Sequence, residues 1–193
     1  MLKQIVKHMI AMFLLGTVAM SVNAKQPMTR EEAQLRSNVN SFAVMADQGA
    51  YEYLGRLFAA DVLVDYTSLF GGEPQTTKRE DLMSQWAGFL PGFDTTFHDL
   101  SNMKVKIKGD IATATADFTA SHWLESQSLE EKGFWSVSGI YNFVFKRVND
   151  NWQITSIKVV GTGEAGSRDV LAEAPKNAVK NFKARESLKV KLH

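Results

Sequence analysis

IATATADFTASHWL, residues 111–124, alternates as a β-strand does, and its reading decides the fold. One set of alternate positions is Ala112, Ala114, Ala116, Phe118, Ala120, His122 and Leu124. The other is Ile111, Thr113, Thr115, Asp117, Thr119, Ser121 and Trp123. Side chains of a strand point to opposite faces in turn, so the first set is an apolar face that carries one imidazole. Such a residue makes sense if that face lines a pocket instead of a sealed core.

The period of two continues on both sides of this stretch and predicts four long strands, at 95–108, 111–125, 133–148 and 151–160. KGDI joins the first pair and NDNW the last, both as tight hairpin turns. Upstream the pattern is helical. Thr29 and Glu32 form a capping box, Leu35, Val39, Phe42, Ala43 and Ala46 follow at helical spacing, and Gly49 ends the run. A short helix at 50–58 leads into the strand DVLVDYTSL, and GGEPQ is a loop. A second capping box, Thr77 to Glu80, opens a helix that runs to about Phe89 and stops at LPG. Helices followed by a meander predict an α+β domain, with the N-terminal helices packed on one face of a curved antiparallel sheet.

The first hairpin fixes a register. With Gly109 and Asp110 as a two-residue loop, Ile107 faces Ala112, Val105 faces Ala114 and Met103 faces Ala116. Continued unchanged, this puts Phe97 opposite His122 and His98 on the far face. A one-residue bulge near Leu100 to Asn102 pairs Leu100 with Phe118 and sets His98 beside Ala120, on the face of His122. A pocket shared by the two histidines therefore requires a bulge.

The ends of the chain read differently from its middle. MLKQIVKHMIAMFLLGTVAMSVNA places Lys3 and Lys7 ahead of an apolar run too short to span a bilayer comfortably, with Val22 and Ala24 at the small-residue positions of a cleavage site. This predicts a signal peptide at 1–24 cut after Ala24, a periplasmic or secreted protein, and no stable membrane anchor after cleavage. The domain is expected over 25–162. Residues 163–193 are expected as a helix broken near Pro175 followed by a basic tail.

Composition narrows the function. Lys and Arg number 22 against 21 Asp and Glu, and loss of Lys3 and Lys7 leaves the signs balanced, so nothing marks a nucleic-acid surface. The chain has no cysteine, which excludes disulfides and thiolate chemistry. GTGEAG lacks the lysine of a phosphate-binding loop and the dinucleotide pattern, and no serine-hydrolase elbow is present.

The order of elements, VDYTSL, FHDLSNMKVKIKGDIATATA and SHWLE together resemble the SnoaL-like domains of the NTF2-like superfamily, in the branch related to scytalone dehydratase. The resemblance covers roughly 29–162 and implies a cone-shaped α+β fold. That branch uses an aspartate near the end of the first helix and a tyrosine in an Ile/Val-Asp-Tyr strand further on, which Asp47 and Tyr66 match in separation. It also uses two histidines on neighbouring long strands, matched by His98 and His122. Ala46 stands where the branch has a second tyrosine, and of a polar pair on the third long strand only Asn142 is present, as a substrate-binding candidate. The resemblance further implies pairing of two copies through the outer face of the sheet.

These residue types suit one chemistry. Histidine takes and returns a proton near neutral pH, an aspartate on one ring nitrogen fixes the tautomer, and a tyrosine hydroxyl polarises a carbonyl. Asp47, Tyr66, His98 and His122 are therefore the catalytic candidates for a cofactor-independent lyase or isomerase acting on a small apolar carbonyl compound. A non-catalytic exported protein that binds a small hydrophobic ligand is the alternative, and Ala46 weighs toward it. Two histidines and a carboxylate also permit a metal triad, but no local spacing is that of a metal motif. Trp135, Tyr141, Phe143 and Phe145 read as sheet packing.

Overall fold

The computed structural model describes residues 27–125 and 133–186, with backbone alone for 182–186. The expected leader at 1–24, its cut after Ala24 and the end of the basic tail lie outside the described residues. The elements are α1 (Arg30–Asp47), α2 (Tyr51–Gly55), β1 (Phe58–Asp65), α3 (Thr67–Phe70), β2 (Gln75–Lys78), α4 (Arg79–Ala87), a 3-10 turn (Leu90–Gly92), β3 (Thr95–Lys108), β4 (Ile111–Trp123), β5 (Phe134–Val148), β6 (Asn151–Gly166) and α5 (Asp169–Glu186). One curved, unclosed sheet has the order β2-β1-β6-β5-β4-β3.

The sheet is mixed where an antiparallel one is expected: β1 runs parallel to β6, and the other pairs are antiparallel. Parallel strands need a long crossover, and everything from α3 to β5 separates these two. The meander β3–β6 follows the alternation of its sequence. Gly109 at φ 59 makes the first hairpin, and Asn149 and Asp150 at φ 48 and 61 make the last. The inner face of β4 is buried from Ala112 to His122, opposite Phe145, Phe143, Tyr141, Val137 and Trp135 of β5.

The bulge is present. Lys104 pairs with Thr115 and Ser101 with Asp117, so Asn102 and Met103 together oppose Ala116. Asn102 adopts φ 50, a conformation that asparagine tolerates better than most residues. Its amide donates to Asp117 Oδ2 at 3.0 Å, and the Met103 carbonyl accepts from Arg36 of α1 at 2.9 Å. Helix α1 thus holds the strand where it changes register. Beyond the bulge Leu100 meets Phe118 and His98 meets Ala120.

At the helix starts, the capping hydroxyl of Thr29 accepts from the Glu32 amide at 3.1 Å, while the Glu32 carboxylate pairs with Arg36 instead of the cap. Thr77 and Glu80 do not form a second box. Thr77 belongs to β2, opposite Val62, and α4 starts at Arg79 with no side-chain cap. Pairing with β1 claims the backbone that the cap would need. Phe42 of α1 stands edge-on to Phe58, Trp86, Tyr141 and Phe143, tying helix α4 to the sheet.

The C-terminal helix differs from expectation, because α5 runs through Pro175 without a break. Its buried stripe Val170, Ala174 and Ala178 packs mainly against the 3-10 turn, and this contact outweighs the hydrogen bond that proline removes. The fit leaves no room for a side chain at Gly92, where a Cβ would run into the Ala174 carbonyl. Gly92→Ala is expected to lower stability by about 1–3 kcal/mol. Thermal unfolding followed by circular dichroism checks this, with an unchanged midpoint as the contrary result.

Candidate functional site

A cavity of about 280 Å³ lies between the inner face of the sheet and α3, α4 and the 3-10 turn. Its sheet wall includes His98, Ala120, His122, Trp135 and Tyr141, and its helical wall includes Trp86 and Phe89. Small side chains at Ala46 and Ala120 leave this space open, while larger neighbours close it elsewhere.

Asp47 is the last residue of α1, where the helix dipole disfavours a carboxylate. Three donors from β3 offset that cost. Thr96 Oγ1 donates to Asp47 Oδ1 at 2.9 Å, the His98 main-chain N–H donates to Oδ2 at 2.8 Å, and His98 Nδ1 lies 2.6 Å from Oδ1. Burial by itself raises the Asp47 pKa, but hydrogen bonds and charge from His98, with help from Thr96, bring it below the usual carboxylate value. An ionised acceptor on Nδ1 requires that nitrogen to carry a proton, which leaves Nε2 as the ring nitrogen free to exchange a proton with a ligand.

His122 follows a different logic. Its ring stacks between Phe93 (centroids 4.8 Å apart) and Trp135 (5.0 Å), and meets His98 edge-on at 5.7 Å. It is 3% exposed and Nδ1 has no hydrogen-bond partner among the described residues. Burial, then the neighbouring His98 charge, lower its pKa from 6.5 to about 4, so the ring is neutral at neutral pH.

That difference carries a stability prediction. The unfolded chain binds the His122 proton below about 6.5 and the folded chain only near 4, so stability rises with pH between these values. The contribution is complete above 6.5 and lost on acidification towards 4, on the order of 3 kcal/mol. The Asp47 contribution is lost only below its ordinary value of 3.8. Urea unfolding at pH 7 and 4.5 should therefore show a loss in the parent that is much smaller in His122→Gln. Equal losses would contradict the account.

Tyr66 follows β1 directly and reaches the cavity beside Tyr141 of β5. Burial pushes both phenols above their ordinary range, Tyr66 further through Tyr141 and Tyr141 further through the Asp47 charge. Both keep their protons at neutral pH and can donate to a ligand. The expectation for the aromatics of β5 needs correction, since Trp135 and Tyr141 line the cavity while Phe143 and Phe145 pack in the core. Trp135 is held from behind: its indole N–H donates to Glu164 Oε2 at 3.1 Å, and Glu164 pairs with Arg168.

Of the candidates from the sequence, His98, His122 and Tyr66 meet at the cavity and Asp47 backs His98. Asn142 does not join them. It alternates with Tyr141 and Phe143, pairs with Thr115 and Lys158, and sits on the opposite face of the sheet. The odd-numbered residues of β5 face inward from Trp135 to Phe145 without a break, and the register shift at Ser138/Gly139 is taken up by β6, where Thr162 is the extra residue. Among the described residues no three histidine, aspartate or glutamate side chains group as metal ligands do.

The family model for the SnoaL-like domain matches residues 27–158. No curated protein matches the chain. Among solved structures, a Kribbella flavida protein is 27% identical over 69% of this chain and 91% of its own, with a TM-score of 0.63. A Novosphingobium aromaticivorans protein provisionally described as a scytalone dehydratase is 20% identical over 72% and 88%, with a TM-score of 0.60. The hexachlorocyclohexane dehydrochlorinase of Novosphingobium barchaimii is 13% identical over 72% and 90%, with a TM-score of 0.57. The last two likenesses concern the fold.

Proposed function

Because the chain belongs to the SnoaL-like domain family, we propose that it is a cofactor-independent lyase or isomerase for a small apolar carbonyl compound. The observation that carries this reading is the Asp47–His98 pair opening onto a cavity with aromatic walls. His98 Nε2 takes a proton from the carbon next to the carbonyl, and Asp47 supports the imidazolium that forms. The electron pair left on carbon flows into the carbonyl as an enolate. Tyr66 and Tyr141 donate to that oxygen, and Tyr141 supplies a second phenol to a site with Ala46 before its aspartate. Collapse of the enolate expels a leaving group from the adjacent carbon, with the imidazolium returning its proton to a departing hydroxide. If no leaving group is present, the proton returns to another carbon and the product is an isomer. His122, neutral and wedged between Phe93 and Trp135, shapes the floor and offers a ring N–H.

The proposal includes export, on the leader pattern ahead of Lys25. The test of catalysis is deuterium uptake into cyclic ketones such as 1-tetralone and 2-tetralone in D2O, followed by mass spectrometry. The reading expects uptake next to the carbonyl above the buffer rate, with His98→Gln inactive. Binding without any uptake would instead favour a carrier of small hydrophobic molecules, the role that Ala46 and the apolar walls also suit.

A further inference from the structure

The inner cavity adjoins a second hollow of about 300 Å³, and the two share Val64, Tyr66, Phe70 and Gln85 as walls. Phe70, 56% exposed, stands at this common boundary. The chemistry changes across it. The inner walls are aromatic and aliphatic around two imidazoles, whereas the outer hollow presents the side chains of Gln75, Thr77 and Gln85. None of these three side chains makes a hydrogen bond to another described residue, so their amides and hydroxyl are available. Gln75 and Thr77 oppose Val64 and Val62 across the β1–β2 pair, which sets both on the inward side of β2. Among the described residues, the hollow's one charged lining group is Glu73, which accepts from hydroxyls and repels anions.

We propose that the site takes a two-part molecule, with an apolar ring in the inner cavity and a neutral polyhydroxyl group, of the sugar or polyol kind, in the outer hollow. The inference rests on the reading of the inner cavity as the ligand site. Uncharged donors and acceptors in a row fit a group that both gives and receives hydrogen bonds. The single carboxylate discriminates against sulfate, phosphate or carboxylate at the same place.

Isothermal titration calorimetry on the intact domain with 2-naphthol, 2-naphthyl β-D-glucoside and 2-naphthyl sulfate tests this. The glucoside should bind at least about fivefold tighter than the naphthol, as one net hydrogen bond gives, and the sulfate more weakly than either. In Gln75→Ala/Thr77→Val the glucoside should fall to the level of the naphthol, whose own affinity stays unchanged and reports an intact fold. Naphthol binding with no gain for the glucoside, or a gain that the double variant keeps, overturns the two-part ligand and leaves the inner site standing. If none of the three binds, the reading of the inner cavity fails and the inference fails with it.

Discussion

His98→Gln should lower proton exchange into a bound ketone by about 10²- to 10⁴-fold, the contribution typical of a positioned general base. Glutamine keeps a donor within reach of Asp47 but has no nitrogen that accepts a proton. The His98 main-chain N–H that holds Asp47 Oδ2 is untouched, so helix α1 and strand β3 stay joined. Ketone affinity should therefore change by no more than about threefold while turnover collapses. A parallel loss of affinity and rate would mean that the ring only packs. Stopped-flow binding and deuterium uptake on one protein sample separate the two outcomes.

Asp47→Asn should be nearly as damaging to the rate, by about 10²- to 10⁴-fold, because an amide can stabilise the wrong tautomer and cannot balance an imidazolium. The carboxylate accepts three hydrogen bonds from β3, and its amide replacement turns one acceptor into a donor facing other donors. A thermal midpoint several degrees lower should accompany the lost activity. Thr96→Val removes one of the three donors and should fall between parent and Asp47→Asn in rate. Full activity in Asp47→Asn would remove the carboxylate from the mechanism.

Much of this was legible in the sequence, for reasons that can be traced. The two-residue turn at Gly109 and Asp110 pins a register, and the register exposes the need for a bulge before His98 and His122 can share a face. Asp47 is legible through the resemblance, and its place at the end of α1, where the helix dipole disfavours a carboxylate, is consistent with a specific partner. The direction of β1 was not legible, because parallel pairing depends on where a long crossover returns. Trp135 and Tyr141 read as packing in the sequence because the connection before β5 is long. No tight turn carries the register from His122 to Trp135. The first half of β5 faces the cavity and the second half faces α1, and an unbroken aromatic alternation looks the same in both. Pro175 misled because its packing partner, the turn at Leu90–Gly92, is distant in the chain.

Asn142 shows that alternation outweighs a matched position. It matches a polar position by resemblance, yet the odd-numbered residues from Trp135 to Phe145 face inward without a break, which puts Asn142 on the other face. The shift at Ser138/Gly139 is absorbed by Thr162 of β6 and leaves the alternation of β5 unchanged, so the aromatic positions Tyr141 and Phe143 on either side already place Asn142 outward.

The central claim is that Asp47 holds the His98 proton on Nδ1 and leaves Nε2 as the base. Nitrogen-15 NMR of the imidazole rings at neutral pH tests it without any substrate. The account predicts that His98 is the Nδ1–H tautomer, with a strongly deshielded proton facing Asp47 that is lost in Asp47→Asn. An Nε2–H tautomer for His98, or a spectrum that Asp47→Asn leaves unchanged, would contradict it.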